Sequence, residues 1–142
     1  MAARGISLIA ALRRRSHDRP PAMRIFLVEN HPDTVLYVSR YLRLLGHEVF
    51  SAGTIEEALR ELPGKNCDLL LSDLTLPDGE GSSLLESLGA ARPRFAVAMS
   101  GRNTPSDRDR TRAAGFSHYL IKPFLPDELD RALLELAPAE SA

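Results

Sequence analysis

Short, mostly apolar runs and segments of helical periodicity alternate five times along the chain from residue 24 onward. The apolar runs lack regular polar alternation, which favours strands that are buried on both faces. Strands that alternate with helices predict a parallel sheet with helices on both of its faces. We therefore predict an α/β fold with a doubly wound, five-stranded parallel sheet, whose strands are 24–28, 48–51, 68–72, 95–99 and 117–121.

The segments between the strands carry apolar residues at spacings of three and four, which places those residues on one face of a helix. The second helix begins at Thr54, and Glu57 three residues later completes a capping-box pattern. His47, after the first helix, is expected to face solvent. The fourth helix, from about Thr104, is polar almost all round, so we expect it to be the least firmly anchored and the natural moving part. Helices are predicted at 32–45, from Thr54 to Pro63, and at about 82–89, 104–114 and 126–136.

The 142 residues are enough for one domain with a substantial core, and their composition is that of an ordinary globular protein. Residues 23–142 carry 13 basic and 18 acidic side chains, and this acidic balance argues against nucleic acid as a partner. The single cysteine, Cys67, excludes a disulfide within the chain and suits a reducing compartment. We therefore expect a cytoplasmic protein.

The first 22 residues differ from the rest, because they hold five arginines and one acidic residue. Their apolar stretch, 6–12, is too short to span a bilayer, and the arginine cluster follows it, unlike the charges of a secretory signal. We expect 1–22 to be a basic, disordered N-terminal extension without membrane attachment, 23–138 to be the folded domain and 139–142 to be a tail. The alternative for the extension is a basic amphipathic segment that touches a membrane or a partner protein.

Three of the predicted strands end in side chains that carry chemistry. Asp73 closes the third apolar run and precedes a turn-forming segment. Glu29 and Asn30 follow the first run, and Lys122 follows the fifth. The carboxyl ends of parallel strands lie at one edge of an open α/β sheet, where such sheets bind ligands. Acid, amide oxygen and ammonium at this edge predict a site for a divalent metal and a phosphoryl group.

A magnesium ion prefers oxygen ligands and usually keeps several waters, so two or three protein oxygens are sufficient to hold it. Glu29, Asn30 and Asp73 can supply these oxygens, with the backbone carbonyl of Thr75 as a further ligand. The ion would screen the charge of Asp73 from that of an incoming phosphoryl group. His31, beside the acidic residue, is expected to begin a helix rather than to bind the metal.

Asp73 can accept a phosphoryl group and form an acyl phosphate. Lys122 can pair first with the Asp73 carboxylate and then with a phosphoryl oxygen, while Ser100 donates its hydroxyl to another. The peptide bond before Pro123 can be cis, which would fix the direction of the Lys122 side chain. The simpler alternatives are a turn cap for Asp73, a solvated charge for Lys122 and a turn residue for Ser100.

From about residue 24 to residue 136 the chain resembles the receiver domains of the two-component response regulators. The Glu29-Asn30 pair is similar to the family's acidic pair after the first strand. Asp73, with the turn-forming segment after it, is similar to the phospho-acceptor strand and loop. Ser100 falls on the switch hydroxyl, and Lys122 with the following proline falls on the closing motif. Together these motifs are specific to the family.

The resemblance implies a flavodoxin-like sheet with the strand order 2-1-3-4-5. It also implies Mg²⁺ as cofactor and a phosphohistidine, on a histidine kinase or a histidine phosphotransfer protein, as the donor to Asp73. Ser100 and Tyr119 take the positions of the switch residues, although Tyr119 could also be a half-buried strand aromatic. The implied output is a change on the face of the fourth helix, fifth strand and fifth helix. A downstream protein would bind this face, and the chain would be a monomer or a weak dimer through it.

One residue departs from the family pattern. The second acidic position, usually a carboxylate and the direct metal ligand, is Asn30. The expected function is a stand-alone receiver that catalyses only its own phosphoryl transfer and dephosphorylation and is otherwise not an enzyme. The alternative is a phosphorylation-independent interaction module, which Asn30 alone supports. A doubly wound enzyme or flavin carrier is weaker, because no glycine-rich phosphate loop follows the first strand.

Overall fold

The computed structural model describes residues 21–136, in which five parallel strands form one sheet. The strands are β1 Arg24–Val28, β2 Glu48–Ala52, β3 Leu69–Asp73, β4 Phe95–Ser100 and β5 His118–Ile121. The helices are α1 Pro32–Leu44, α2 Ile55–Glu61, α3 Leu84–Leu88, α4 Pro105–Ala113 and α5 Pro126–Leu136. The strand order is β2-β1-β3-β4-β5, which confirms the predicted doubly wound, flavodoxin-like sheet.

Each predicted strand agrees with the observed strand to within one residue at either end. The difference matters at β3, because Asp73 is the last residue of the strand and pairs in register with Met99 of β4. The third helix is shorter than predicted, since a 3₁₀ turn at Gly81–Ser83 precedes α3. The loop between β3 and this turn forms a small antiparallel ribbon, Thr75–Leu76 with Gly79–Glu80.

Alternating side chains of each strand enter two hydrophobic cores, one on each face of the sheet. Ile25 and Leu27 of β1 lie in the core that α1 and α5 cover. Phe26 and Val28 lie in the core that α2 and α3 cover. All five residues of β3 are buried. The central strands therefore have no exposed face, which explains the absence of polar alternation in their sequences.

Side-chain caps begin α2 and α4. Thr54 accepts a hydrogen bond from the Glu57 N–H, as predicted, but the Glu57 carboxylate accepts from the Gly53 N–H at 2.8 Å and not from Thr54. The full capping box occurs instead at α4, between Thr104 and Asp107. The two side chains that α4 buries are both polar, so this helix contributes few apolar contacts, as its sequence predicts.

His47 is buried, and the prediction that it faces solvent is wrong. Its Nδ1 accepts a hydrogen bond from the Met23 N–H at 3.0 Å, which connects the start of β2 to the residue before β1. Burial lowers the pKa of His47, and the negative charge of Asp130 opposes this effect only in part. The imidazole is therefore neutral in the folded protein at neutral pH.

Acidification is expected to destabilise the protein through His47. Because the pKa of His47 is lower in the folded chain than its ordinary value of 6.5, protonation favours the unfolded state. The free energy of unfolding is unaffected by His47 at pH values above this ordinary pKa. It should fall as the pH drops from the ordinary pKa toward the folded-state pKa. Urea unfolding at about pH 7.5 and about pH 5.5 measures the loss, which should be smaller in His47→Gln than in wild type or His118→Gln. Equal losses in all three proteins would contradict this assignment.

Two further observations concern the ends of the chain and membranes. The predicted extension, 1–22, lies outside the described residues except for its last two, and the predicted tail, 139–142, lies outside them entirely. The predicted domain boundaries therefore remain predictions. Among the helices within residues 21–136, none is long and apolar enough to cross a membrane.

Candidate functional site

The residues predicted to bind a metal ion and a phosphoryl group lie at the edge of the sheet where four strands end. Asp73 is the last residue of β3 and has 5% of its surface exposed. Glu29 follows β1 directly and is buried, and its N–H donates to Ala52 O at the end of β2. Ser100 ends β4, and Lys122 follows β5. The parallel sheet thus collects residues from distant parts of the chain at one site.

The ammonium of Lys122 joins two carboxylates. Its Nζ donates to Glu29 Oε1 at 2.6 Å and to Asp73 Oδ2 at 2.9 Å. The Lys122 N–H donates to Ser100 O at 2.8 Å, and the peptide bond to Pro123 is cis. These contacts place the cation directly beside an oxygen of Asp73, in charge-assisted hydrogen bonds.

Burial and ion pairing act in opposite directions on these charged groups. Burial alone would lower the pKa of Lys122, but its hydrogen bonds to Glu29 and Asp73 outweigh burial and raise that pKa above its ordinary value. Burial alone would raise the pKa of Glu29, but the Lys122 ammonium and the His31 N–H lower it below its ordinary value. At neutral pH the site therefore holds a protonated lysine and an ionised glutamate.

The second oxygen of Asp73 contacts the loop that follows β3. Asp73 Oδ1 accepts a hydrogen bond from the Thr75 N–H at 3.1 Å, so contacts on both oxygens orient the carboxylate. Thr75 also begins the antiparallel ribbon, where it pairs with Glu80. The metal-ligand role of the Thr75 carbonyl remains a prediction.

Three side chains place potential metal ligands close together. One carboxylate oxygen each from Glu29 and Asp73, and one ring nitrogen of His31, lie within 4.8 Å of one another. Asn30 is exposed, and its Oδ1 lies 3.9 Å from the position that a Cβ on Gly53 would take. The carboxylate oxygens, with the amide oxygen of the adjacent Asn30, are the donor types that Mg²⁺ prefers. The oxygen donors therefore fit the predicted ion.

His31 is a residue of this site that the sequence predicts only as a helix start. It is the N-cap of α1, but its side chain makes no capping hydrogen bond. Its N–H donates to Glu29 Oε2 at 3.0 Å, and its Nδ1 lies 3.3 Å from the same oxygen. The one signal in the sequence is its position two residues after Glu29.

The two predicted switch residues contact a common neighbour, Arg102. The hydroxyl of Ser100, which is buried, accepts a hydrogen bond from the Arg102 N–H at 3.0 Å. The hydroxyl of the half-buried Tyr119 donates to Arg102 O at 2.6 Å. The Arg102 guanidinium donates to Glu80 Oε1 at 2.7 Å and so links the loop after β4 to the loop after β3. No pattern in the sequence indicates this role for Arg102.

Gly81 lies against the backbone of the proposed acceptor residue. A Cβ on Gly81 would lie 2.1 Å from the Asp73 carbonyl oxygen and 3.1 Å from Ser72 Oγ. The Gly81 N–H donates to Leu74 O at 2.8 Å. The loop after β3 therefore folds back onto the end of the strand, and only glycine leaves room for this approach.

Comparison with protein families places most of this chain in one group. The family model described as the response regulator receiver domain matches residues 25–134. The transcriptional regulatory protein PrrA of Mycobacterium tuberculosis is 34% identical over 107 residues, which is 75% of this chain and 46% of PrrA. The KDP operon regulatory protein KdpE of Escherichia coli is 34% identical over 100 residues, which is 68% of this chain and 44% of KdpE. The chain thus spans less than half the length of these two relatives.

Solved structures show the same fold. A CheY-like receiver domain protein from Methanospirillum hungatei superposes with a TM-score of 0.74 at 28% identity, covering 84% of this chain and 97% of that protein. The receiver domain of the sensor histidine kinase PA1611 from Pseudomonas aeruginosa superposes with a TM-score of 0.71 at 29% identity, covering 80% and 96%. That domain has a magnesium ion coordinated in its active site cleft.

Proposed function

The chain belongs to the response regulator receiver domains of two-component systems, and from this premise we propose that it accepts a phosphoryl group on Asp73. The donor is a phosphohistidine of a histidine kinase or a histidine phosphotransfer protein. The observation that carries the proposal is the Lys122 ammonium, held between Glu29 and Asp73 at the sheet edge. A lysine already paired with the acceptor carboxylate is in position to pair with a phosphoryl oxygen.

The transfer forms a bond between an Asp73 oxygen and phosphorus while the bond from phosphorus to the donor imidazole nitrogen breaks. The electron pair of the broken bond returns to the imidazole, and Asp73 becomes an acyl phosphate. Lys122 keeps its contact with Glu29 and exchanges the Asp73 oxygen for a phosphoryl oxygen. Because the Ser100 hydroxyl accepts from Arg102, its own proton is available to a second phosphoryl oxygen.

The proposed ligands for Mg²⁺ are Glu29, Asn30, Asp73 and the backbone carbonyl of Thr75. A bound Mg²⁺ supplies positive charge that offsets the charge of the phosphoryl group and the acceptor. The Lys122 ammonium supplies a second positive charge at the same edge. The buried Glu29, ionised at neutral pH, attracts the cation.

The test is whether the wild-type protein forms an acyl phosphate on Asp73. The protein is incubated with acetyl phosphate and Mg²⁺, and the adduct is located by mass spectrometry. A base-labile phosphoryl adduct on Asp73 is the expected result, because acyl phosphates hydrolyse in base. An intact, folded protein that forms no adduct would favour the second function below.

The second function is an interaction module that keeps the receiver fold without phosphorylation. The observation that favours it is the neutral Asn30, which removes one negative charge from the metal site. Such a module would bind its partner equally well with Asp73 intact or replaced. The two functions therefore differ in whether occupation of Asp73 alters the protein surface.

Replacing Asn30 with aspartate is expected to tighten Mg²⁺ binding. A carboxylate restores negative charge beside Glu29 and Asp73, so the affinity should rise by up to about tenfold, or about 1.4 kcal/mol. Calorimetric titration with Mg²⁺ measures the change. The matched control is Asn66→Asp, which adds the same charge in the loop before β3. If Asn30→Asp and Asn66→Asp bind Mg²⁺ equally, Asn30 does not neighbour the ion.

We further propose that phosphorylation changes the surface formed by α4, β5 and α5, where a downstream protein or a second copy of the chain would bind. To donate to a phosphoryl oxygen, the Ser100 hydroxyl must turn toward Asp73, which weakens its contact with the Arg102 N–H, one of the two contacts that hold this loop to the switch residues. Hydrogen exchange with and without beryllofluoride, a phosphoryl mimic, should therefore change across residues 100–121. A change limited to the surroundings of Asp73 would exclude this coupling.

A further inference from the structure

His31 places a ring nitrogen beside the two carboxylates of the proposed metal site. Building on the proposed function, we propose that His31 is a metal ligand and that it shifts the preference of the site from Mg²⁺ toward a divalent transition metal. Imidazole is a borderline donor that binds ions such as Co²⁺, Ni²⁺ and Zn²⁺ well, whereas Mg²⁺ selects oxygen. A site with one nitrogen and two carboxylate oxygens therefore discriminates between the two classes of ion.

The positions of the ligand atoms support one ion shared by all three residues. The Nδ1 atom of His31 lies 3.3 Å from Glu29 Oε2, and a ligand atom of Asp73 lies within 4.8 Å of both residues' ligand atoms. Metal–ligand bonds of about 2.0–2.2 Å place neighbouring ligands about 3 Å apart and opposite ligands about 4 Å apart. The observed separations thus need only small side-chain adjustments to enclose an ion.

The His31 side chain is held at the site, and coordination by Nδ1 would replace its contact with Glu29 Oε2. The hydrogen bond from the His31 N–H to Glu29 Oε2 fixes the backbone beside the carboxylate. The side chain is 73% exposed and does not cap α1, so the helix does not compete for its ring nitrogens. Solvent can accept the proton of Nε2, which leaves the Nδ1 lone pair for the metal.

The charge of the site favours the same conclusion. Asn30 supplies a neutral oxygen where a second carboxylate would add charge, and Lys122 pairs with one oxygen of each remaining carboxylate. Mg²⁺ binding depends mainly on the negative charge of its ligands, so these features weaken Mg²⁺ binding. A transition metal also gains from the bond to the imidazole nitrogen, which does not require negative charge.

Calorimetric titration of the full chain with Co²⁺ and, separately, with Mg²⁺ tests the proposal. His31→Ala is expected to weaken Co²⁺ binding at least about tenfold, the lower end of what loss of a metal site's supporting group costs. It should leave Mg²⁺ affinity within about twofold, because oxygen ligands hold that ion. His31→Gln, which replaces the nitrogen donor by an amide, should behave like His31→Ala toward Co²⁺. The controls are His17→Ala and His118→Ala, which test whether a histidine outside the site contributes to Co²⁺ binding. Both variants should bind Co²⁺ as wild type does.

A spectroscopic signature separates coordination from a general effect of the substitution. In the Co²⁺ complex the ring protons of a coordinated histidine show large paramagnetic shifts, and these signals should be absent in His31→Ala. Equal losses of Co²⁺ and Mg²⁺ affinity in His31→Ala, or no loss of either, would overturn the proposal.

Adduct formation on Asp73 with Mg²⁺ is measured on the same samples. If the adduct forms while His31→Ala leaves Co²⁺ affinity unchanged, His31 is not a metal ligand. The assignment of Asp73 as the phosphoryl acceptor is then unaffected. If no adduct forms and neither ion binds, the proposed function itself fails.

Discussion

Asp73→Asn is expected to reduce covalent phosphoryl incorporation to background. The amide oxygen of asparagine is far less nucleophilic than a carboxylate oxygen, and its adduct would not be an acyl phosphate. The fold should remain, because Asn has almost the same shape and Lys122 keeps its hydrogen bond to Glu29. The change in the free energy of unfolding should stay within about 2 kcal/mol.

Mass spectrometry after incubation with acetyl phosphate and Mg²⁺ measures incorporation in the variant and in wild type. The matched control is Asp33→Asn, since Asp33 is an exposed acid in the first turn of α1 and lies outside the set of ion-pairing groups at the sheet edge. This control should form as much adduct as wild type. Equal incorporation in Asp73→Asn would show that the acceptor is another residue.

Gly81→Ala is expected to be the most destabilising substitution in the loop after β3. The added Cβ would lie 2.1 Å from the Asp73 carbonyl oxygen and 3.1 Å from the Asp73 carbonyl carbon. Both atoms belong to the backbone of a buried strand, so they cannot move aside as a flexible side chain would. We expect a loss of about 2–3 kcal/mol in the free energy of unfolding, in the upper range for overpacked sites. Displacement of Asp73 should also slow phosphorylation.

Urea unfolding of Gly81→Ala and of Gly64→Ala measures this effect. A Cβ on Gly64 meets no atom within 4 Å, so Gly64→Ala should change the free energy of unfolding by no more than about 0.5 kcal/mol. The two variants make the same chemical change and differ in the space available. If their unfolding midpoints agree, the close approach at Gly81 does not constrain the loop.

The location of the candidate site could be predicted from the sequence because it follows from the ends of strands. Apolar runs show where each strand ends, and a parallel sheet brings those ends to one edge. The sequence therefore assigned Glu29, Asp73 and Lys122 to one site, and the structure places the Lys122 ammonium within 3 Å of both carboxylates. This proximity could be predicted because strand periodicity is a local property that shows where each strand ends, and a parallel sheet brings those ends together.

Other residues have roles that depend on contacts which no local sequence pattern encodes. His47 reads as a polar residue after a helix, yet it is buried, and its ring accepts the N–H of Met23, 24 residues earlier. His31 reads as a helix start, yet its ring lies beside the carboxylates of Glu29 and Asp73. Arg102 reads as a loop residue, yet it contacts both predicted switch residues. Each role depends on how the loops pack against the sheet and against one another.

The sequence by itself determined the α/β class, the strand positions to within one residue and the set of charged groups at one sheet edge. These follow from hydrophobic periodicity, which reflects the repeat of the local backbone. Only the tertiary structure decided which oxygens Lys122 contacts, how close Gly81 lies to Asp73 and where the His31 ring lies. Such distances depend on the paths of loops across the sheet edge, and a difference of one or two ångströms there separates a contact from a clash.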